Sequence, residues 1–429
     1  MKYYIITFGC QMNKSDSERI ATVFEKIGYK PASKIDEADL IVVNMCSVRQ
    51  SAVDRVYGLM PKFEKLKIKN PKLKTILTGC VLKKDRRIFV KGFDQVLKIK
   101  DLLRYQPKYS NNFSVFVPIS NGCDNFCAYC VVPFVRGPLV CRSYLEVLKE
   151  VKNAVKKGFK EIWLLGQNVN KYRSGLTRTP THPPPSCRRQ APSTRNNAEV
   201  NFAKLLRMVN DIPGDFWIRF TSPHPKDFSD ELIETMAKCQ KVAPYLNLPV
   251  QSGDDEILRR MNRPYKISQY KNLVKKIRAA FKKYRKGLER EIAISTDIIV
   301  GFPGETKKQF ENTVKLFKEI KFDMAYIAKY SPRPQTAAYK LKDDIPRKEK
   351  ERRYKILTEI LKNAALEKNK KFVGETLKVL VEAEQREYLH GKTQNYKTVK
   401  FEGPKNLIGQ FVKLKIIDAL PWGLKGILI

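Results

Sequence analysis

The amino-acid sequence predicts an α/β protein in three parts. These are an amino-terminal parallel α/β sheet domain (residues 1–112), a central partial (βα)6 barrel (113–366) and a carboxy-terminal small antiparallel β-barrel (367–429). Three observations predict it. Near the start, the β-rich apolar runs YYIITFGC, LIVVNMC and KTILTGC each stop at a cysteine and alternate with helical segments. From residue 114 a second series of strand and helix patterns follows, and nearly every strand ends in a polar or Gly/Pro-rich tip. The last segment turns to short alternating strands, ending in FVKLKIIDALPWGLKGILI, the pattern of a small β-barrel.

In the first part, continuous apolar strands separated by helices indicate a parallel sheet covered on both faces. The carboxyl ends of such strands line the ligand crevice. Cys10, Cys46 and Cys80 are therefore expected to converge there, although more than thirty residues separate each from the next. A capping-box pattern from Ser15 to Glu18 is expected to open the first helix. In the second part the candidate strands are SVFVPI, EIWLLG, FWIRF, YLNLPV, IAISTDIIV and MAYIAKY, with helices announced at Ser143–Glu146 and Thr306–Gln309. Six βα units suggest a barrel or partial barrel. Its tips, GCDNFC, GQN, TSPHP, QSGDD, GFPGET and YSPRP, are where catalytic groups belong. Residues 173–198, rich in Pro, Arg, Thr and Ser without apolar periodicity, read as a disordered insertion. The basic helix-forming stretch 347–371 leads into the last part.

Composition narrows the function classes. The 83 Lys and Arg against 44 Asp and Glu give a formal charge of +39, which favours acidic partners, nucleic acid foremost, although a generally solvated basic surface produces the same balance. The sequence opens with MKYYIITFG, a strand pattern rather than a secretory leader, and its apolar runs are too short to cross a bilayer. Nine cysteines, odd in number and partly clustered, suit metal or redox chemistry better than a disulfide framework. A cytoplasmic monomer with no membrane partner is expected.

The sharpest motif is Cys123-x-x-x-Cys127-x-x-Cys130 directly after the first barrel strand, with Tyr129 beside the last cysteine. Three thiolates at this spacing can hold three irons of a cubane and leave the fourth open, whereas structural zinc takes four ligands. An open iron can chelate S-adenosylmethionine (SAM) and pass it one electron. This triad, with TFGCQMNKSDSE, CAYCVVPFVRG, LLGQNVN, LPVQSGDDEILRRMNRPY, DIIVGFPGET and YSPRPQTAAY, resembles the methylthiotransferase family of radical SAM enzymes, most closely the MiaB type. The resemblance covers nearly the whole chain outside 173–198.

On spacing alone, Cys10, Cys46 and Cys80 read equally as buried core cysteines. The resemblance implies that they bind an auxiliary 4Fe-4S cluster whose free iron carries the sulfur, while Cys123, Cys127 and Cys130 bind the radical SAM 4Fe-4S cluster. It implies methylthiolation of carbon 2 of N(6)-isopentenyladenosine at position 37 of tRNA. One SAM methylates the sulfur and a second is cleaved to a 5′-deoxyadenosyl radical that removes the hydrogen. Such a carbon is beyond ordinary acid–base chemistry, so no Ser/His/Asp or paired-carboxylate arrangement is expected. Partners so implied are the tRNA anticodon stem-loop, an electron donor such as flavodoxin or ferredoxin, and a sulfur donor. Competing readings are methylthiolation of N(6)-threonylcarbamoyladenosine in tRNA, a ribosomal-protein methylthiotransferase, and a non-catalytic iron–sulfur RNA-binding sensor.

Beyond the clusters, Tyr129, Gln167, Asn168, Ser222, Gln251, Gly301 and Glu305 lie on tips suited to holding SAM, though turn chemistry explains such residues equally well. His224 in TSPHP reads as structural or as a proton carrier. Cys141, Cys187 and Cys239 match no ligand position and are given no role. The last segment resembles a TRAM domain, an RNA-binding barrel. Within it Lys392, Tyr396, Lys397 and Lys400 are candidate RNA contacts, and Phe401 is expected in the core.

Overall fold

The strand Leu40–Cys46 is buried at every position, which is why its sequence LIVVNMC carries no apolar/polar alternation. In the computed structural model, which describes residues 1–48, 50–98, 102–175, 199–287 and 291–429, this strand is the centre of a five-stranded parallel sheet. The spatial order is Lys30–Pro31, Lys2–Thr7, Leu40–Cys46, Lys74–Cys80, Gln95–Val96. Alternate side chains divide between two covers. Leu40 and Val42 pack with Ile20 and Ala21 of the helix Gln11–Lys26, and Ile41, Val43 and Met45 pack with Val53, Val56 and Phe63 of the helix Gln50–Lys69.

The expected capping box at Ser15–Glu18 does not form. The chain turns into the helix at once after Cys10, which is the N-cap and whose side chain accepts from none of the free helix amides. Ser15 therefore lies inside the helix, where its hydroxyl donates to the Phe116 carbonyl at 2.9 Å, and Glu18 accepts from the Ser110 amide and hydroxyl. Ser15 thus joins the sheet domain to the first barrel strand, and Glu18 holds the segment that leads into it. The buried pair Arg19–Glu150, 2.6 Å, ties the same helix to the barrel helix Tyr144–Lys156.

Six parallel strands follow in the positions expected: Ser114–Pro118, Glu161–Leu165, Trp217–Phe220, Tyr245–Asn247, Ala293–Val300 and Met324–Lys329. They form two three-stranded sheets joined by a parallel bridge between Ile218 and Val242. Among the described residues no pairing links the last strand to the first, so the arc stays open, and Tyr326 beside the gap is 44% exposed. Outward residues such as Val117, Leu164, Ile218, Leu246 and Ile298 enter the main core with the helices. The opposite alternation carries Phe116, Trp163, Arg219, Tyr245 and Ser295. Thr306 and Gln309 form the expected capping box; Ser143 is an N-cap without a side-chain bond.

The stretch 173–198 was expected to be disordered throughout, but Arg173 and Ser174 pair antiparallel with Asn201 and Val200. The Ser174 hydroxyl also accepts from the Tyr144 amide at 3.1 Å. Residues 176–198, with Cys187, lie outside the described residues. The helix Arg347–Lys370 runs past residue 366 and delivers the chain to a closed five-stranded barrel, 376–428. That barrel is not wholly antiparallel, because Val399 and Lys400 pair in parallel with Leu424 and Lys425 to close it. Phe401 lies in its core as expected. Its turn 393–397 meets the floor of the six-stranded arc, where Arg219 donates to the carbonyls of Thr393 and Gln394 at 2.9 and 2.8 Å while paired with Glu161.

Candidate active site

Both cysteine groups stand at carboxyl ends of strands, and each is shaped by a glycine with positive φ. Gly122, at φ 83°, precedes Cys123. A β-carbon there would meet the Pro138 carbonyl oxygen at 2.0 Å, and its amide donates to Gln167 Oε1 at 2.6 Å. The loop is then fastened by main-chain bonds from Cys123 to Gly137, from Ala128 to Met261 and from Cys130 back to Cys127. Arg263 is buried beside it, with Nη1 3.7 Å from Cys127 Sγ, Nη2 donating to the Pro249 carbonyl and Nε to the Tyr265 hydroxyl.

The second group is assembled by the sheet. Strand register sets Cys46 directly opposite Cys80. Gly79, at φ 102°, turns the chain just before Cys80, and a β-carbon there would meet the Met45 carbonyl oxygen at 2.2 Å. Cys10, three residues past the neighbouring strand at the start of the helix Gln11–Lys26, closes the group, with its thiol donating to Asn13 Oδ1 at 3.3 Å. Asn13 and Asn44 brace these ends: Asn13 Nδ2 donates to Asn44 Oδ1 at 2.9 Å and Asn44 Nδ2 to the Asn13 carbonyl at 2.8 Å. Cys46 and Cys80 stand against each other, which favours the thiolate at Cys46 and the protonated form at Cys80.

These donor sets fit iron–sulfur clusters. Burial pushes the Cys123 and Cys130 thiols up, the latter to about 12, so that metal must displace their protons. Among the described residues no three Cys, His, Asp or Glu side chains stand close enough to share one ion. A single zinc with Zn–S bonds of about 2.3 Å needs sulfurs about 3.8 Å apart; a cubane takes each thiolate on a separate iron and so accepts wider spacing.

Three buried polar atoms lack partners on successive strand tips: Ser120 Oγ, Asn168 Oδ1 and His224 Nε2. They are what a polar ligand at this end would satisfy. Asn168 is held for that by its amide donating to Asp227 at 2.7 Å. Ser222 and Gln251 adopt positive φ, 59° and 73°, and Tyr129 packs beneath the loop near Ala128 and Phe302. Gln167 is engaged with the cysteine loop itself. Gly301 and Glu305 are taken by packing instead: the Glu305 carboxylate accepts from the Gly301 amide at 2.7 Å and pairs with buried Arg353 at 2.6 Å. Burial and nearby Arg263 lower the His224 imidazole to about 2, which favours the neutral ring, and Nδ1 accepts from the Lys226 amide.

The carboxy-terminal candidates scatter. Lys397 is buried in an ion pair with Asp323, 2.8 Å, and Tyr396 packs on Trp163, Tyr245 and Arg219. Both serve the seam between the two barrels. Lys392 donates to Thr398 and Lys400 lies over the Tyr388 ring. Lys413 and Lys415 are exposed on the strand Phe411–Leu420, and Trp422, 48% exposed, lies in the turn after it. Cys141 is half-buried and Cys239 is buried.

Sequence reasoning missed Arg136, Arg263, Asn13 and Asn44. It also missed Gly79 and Gly122, for which one signal was available: the dipeptide Gly-Cys recurs at 9–10, 79–80 and 122–123.

An open six-stranded arc with a three-cysteine loop on its first strand tip defines a radical SAM enzyme, the class whose cofactors are SAM and a 4Fe-4S cluster. A family model described as the radical SAM superfamily matches residues 117–317, the uncharacterized protein family UPF0004 matches 2–99, and the TRAM domain matches 370–429. The chain belongs to the tRNA-2-methylthio-N(6)-dimethylallyladenosine synthases. It is 39% identical to the synthase of that name from Clostridium novyi over 100% of this chain and 96% of the relative, and 38% identical to that from Dictyoglomus thermophilum over 99% and 98%. Among solved structures, it is similar to the radical SAM methyltransferase TsrM from Kitasatospora setae with cobalamin and a 4Fe-4S cluster bound. There the TM-score is 0.53 at 13% identity over 79% of this chain and 77% of the other, a likeness of fold. Among the described residues no helix is long and apolar enough to cross a membrane.

Proposed function

We infer that this chain attaches a methylthio group to carbon 2 of N(6)-isopentenyladenosine at position 37 of tRNA. The observation that carries this is the pairing of two three-cysteine sites at neighbouring strand ends, one on the barrel and one on the sheet domain packed against it. Cys123, Cys127 and Cys130 would hold the cluster that binds SAM, and Cys10, Cys46 and Cys80 the auxiliary one. When bound, the clusters and SAM supply the electron, the radical and the sulfur that an unactivated aromatic carbon requires. The chain's own part is to hold and shield. Gln167 and Gly122 fix the cysteine loop, Asn168 offers a free carbonyl oxygen, and Ser222, Gln251 and Tyr129 line the same end.

The open side of the arc, where Tyr326 is exposed, suits admission of an unpaired base splayed from a loop. Lys413, Lys415 and Trp422 of the terminal barrel are better placed than Lys397 or Tyr396 to meet RNA, because their side chains reach solvent. The anticodon stem-loop, an acidic one-electron donor and a sulfur donor are the partners this chemistry needs, and the cytoplasm is where they meet.

Anaerobic incubation of reconstituted protein with SAM, reductant and an isopentenylated anticodon stem-loop tests the reading. Methylthiolated nucleoside and 5′-deoxyadenosine are expected together. Turnover of a threonylcarbamoylated stem-loop in its place would redirect the substrate, and no release of 5′-deoxyadenosine would make the protein a sensor.

A further inference from the structure

Arg136 ends the short helix Val132–Arg136, six residues beyond Cys130, and its guanidinium is buried. Each of its three nitrogens goes to a different segment. Nε donates to Cys80 Sγ at 3.0 Å, Nη1 to Asn121 Oδ1 at 2.9 Å and Nη2 to Asp16 Oδ2 at 2.7 Å. Cys80 and Asp16 belong to the sheet domain, whereas Asn121 immediately precedes the Gly122–Cys123 turn. One planar fork therefore ties the end of one cysteine group to the start of the other. Lysine, a single flexible point charge, cannot bond in three fixed directions.

A second arginine reaches across from the same side. Arg333, on the sixth strand tip and 9% exposed, donates to Gln50 Oε1 at 2.6 Å. Gln50 is the first residue of the helix that follows Cys46. Three thiolates on a four-iron cube make a net negative group, of whose ligands Cys46 and Cys80 are only 7% and 4% exposed while Cys10 lies at the surface. The buried side of that charge needs partners, and Arg136, although it also pairs with Asp16 of the sheet domain, brings an N–H donor from the barrel to Cys80.

We propose that Arg136, assisted by Arg333, is a positioning residue that locks the auxiliary cluster at a fixed offset from the SAM-binding loop and tunes that cluster through an N–H···S bond to Cys80. The proposal rests on the two-cluster reading above. Cluster potentials respond to net charge and to hydrogen bonds on the sulfurs, and transfer between two sites is steep in their relative placement.

The test uses full-length, anaerobically reconstituted protein carrying Arg136→Gln or Arg136→Lys. Iron content is measured for each. The auxiliary midpoint potential is read by EPR-monitored titration in a background with Cys123, Cys127 and Cys130 changed to alanine, and methylthiolated product per 5′-deoxyadenosine in the otherwise native chain. Arg136→Gln is expected to keep its iron, to show a more negative midpoint, and to lose about a hundredfold in product per 5′-deoxyadenosine. Arg136→Lys should recover much of the midpoint, since the charge remains, but little of the coupling, since the fork is lost. An unchanged midpoint and ratio in Arg136→Gln overturns the proposal. If that variant fails to hold iron, Asp16→Asn, which removes one of the three bonds, is read in the same way: a lower ratio supports the proposal and an unchanged one overturns it. Should the alanine background hold no iron, the two-cluster reading fails rather than the role of Arg136.

Discussion

The two cysteine groups solve one geometric problem by different means. Cys123, Cys127 and Cys130 lie on a single loop, and their mutual placement is set by local turns and by a few main-chain bonds to Gly137 and Met261. Cys46 and Cys80 end two paired strands and Cys10 caps the helix that follows a third, so sheet register and the turn into that helix together assemble the group. A local site survives small shifts of the scaffold, because its ligands move together. An assembled site does not. The assembled group is accordingly braced across strands, by the Asn13–Asn44 pair, the Arg136 fork and the glycine at 79, whereas the loop is braced where it turns, by Gln167, Arg263 and the glycine at 122.

The largest effect expected from breaking this comparison is on the cysteines themselves. Cys127→Ala should abolish release of 5′-deoxyadenosine, whereas Cys46→Ala should continue to release it while forming no methylthiolated product. Liquid chromatography of the nucleosides separates the two outcomes, and normal product from either variant would refute the assignment. Next come the glycines. Alanine at 79 or 122 must adopt a left-handed φ, which costs about 1–3 kcal/mol, and must also push aside a backbone carbonyl. Gly79→Ala should lose auxiliary-cluster iron selectively, and Gly122→Ala the SAM-side cluster. Mössbauer or EPR quantification of each cluster checks this, and equal losses at both sites in either variant would show that neither glycine shapes its own group alone.

The contrast also governs what the sequence disclosed. A motif whose ligands fall within eight residues is legible because spacing nearly is geometry, and six strands read from apolar runs sufficed to place that loop at a barrel mouth. The assembled group was legible as three strand ends, yet its function was not, since a buried cysteine looks the same with or without iron. Long-range partners were invisible: nothing local in VPFVRG announces that Arg136 bonds Cys80. Local rules misled where tertiary contacts override them. Ser15 and Glu18 have capping-box spacing but serve the seam with the barrel. Lys397 and Tyr396 have the chemistry of RNA contacts, yet pack between two barrels. Gly301 and Glu305 sit on a tip that the helix Arg347–Lys370 has claimed.

The smallest effect separates the two sites by pH. The sheet domain contains no histidine, whereas the barrel tip carries His224, held neutral by burial and by Arg263 down to about pH 2. An unfolded histidine takes up a proton near pH 6.5, so below that value the unfolded chain binds a proton that the folded tip refuses. Stability conferred by the neutral ring is therefore whole above about pH 6.5 and is lost progressively as the pH falls toward 2, by about 3 kcal/mol at about pH 4. The barrel tip should open in mild acid before the sheet end does. Hydrogen exchange between about pH 7 and pH 4 should show rising exchange around Asn170 and Lys226, whose contacts His224 holds, with the amides of Leu40–Cys46 still protected. His224→Gln, which keeps a polar side chain but binds no proton, should flatten that pH dependence. Catalysis should show no inflection attributable to His224, because a ring that never protonates in the working range cannot carry the proton, and an inflection near pH 6.5 that disappears in His224→Gln would return the residue to the chemistry.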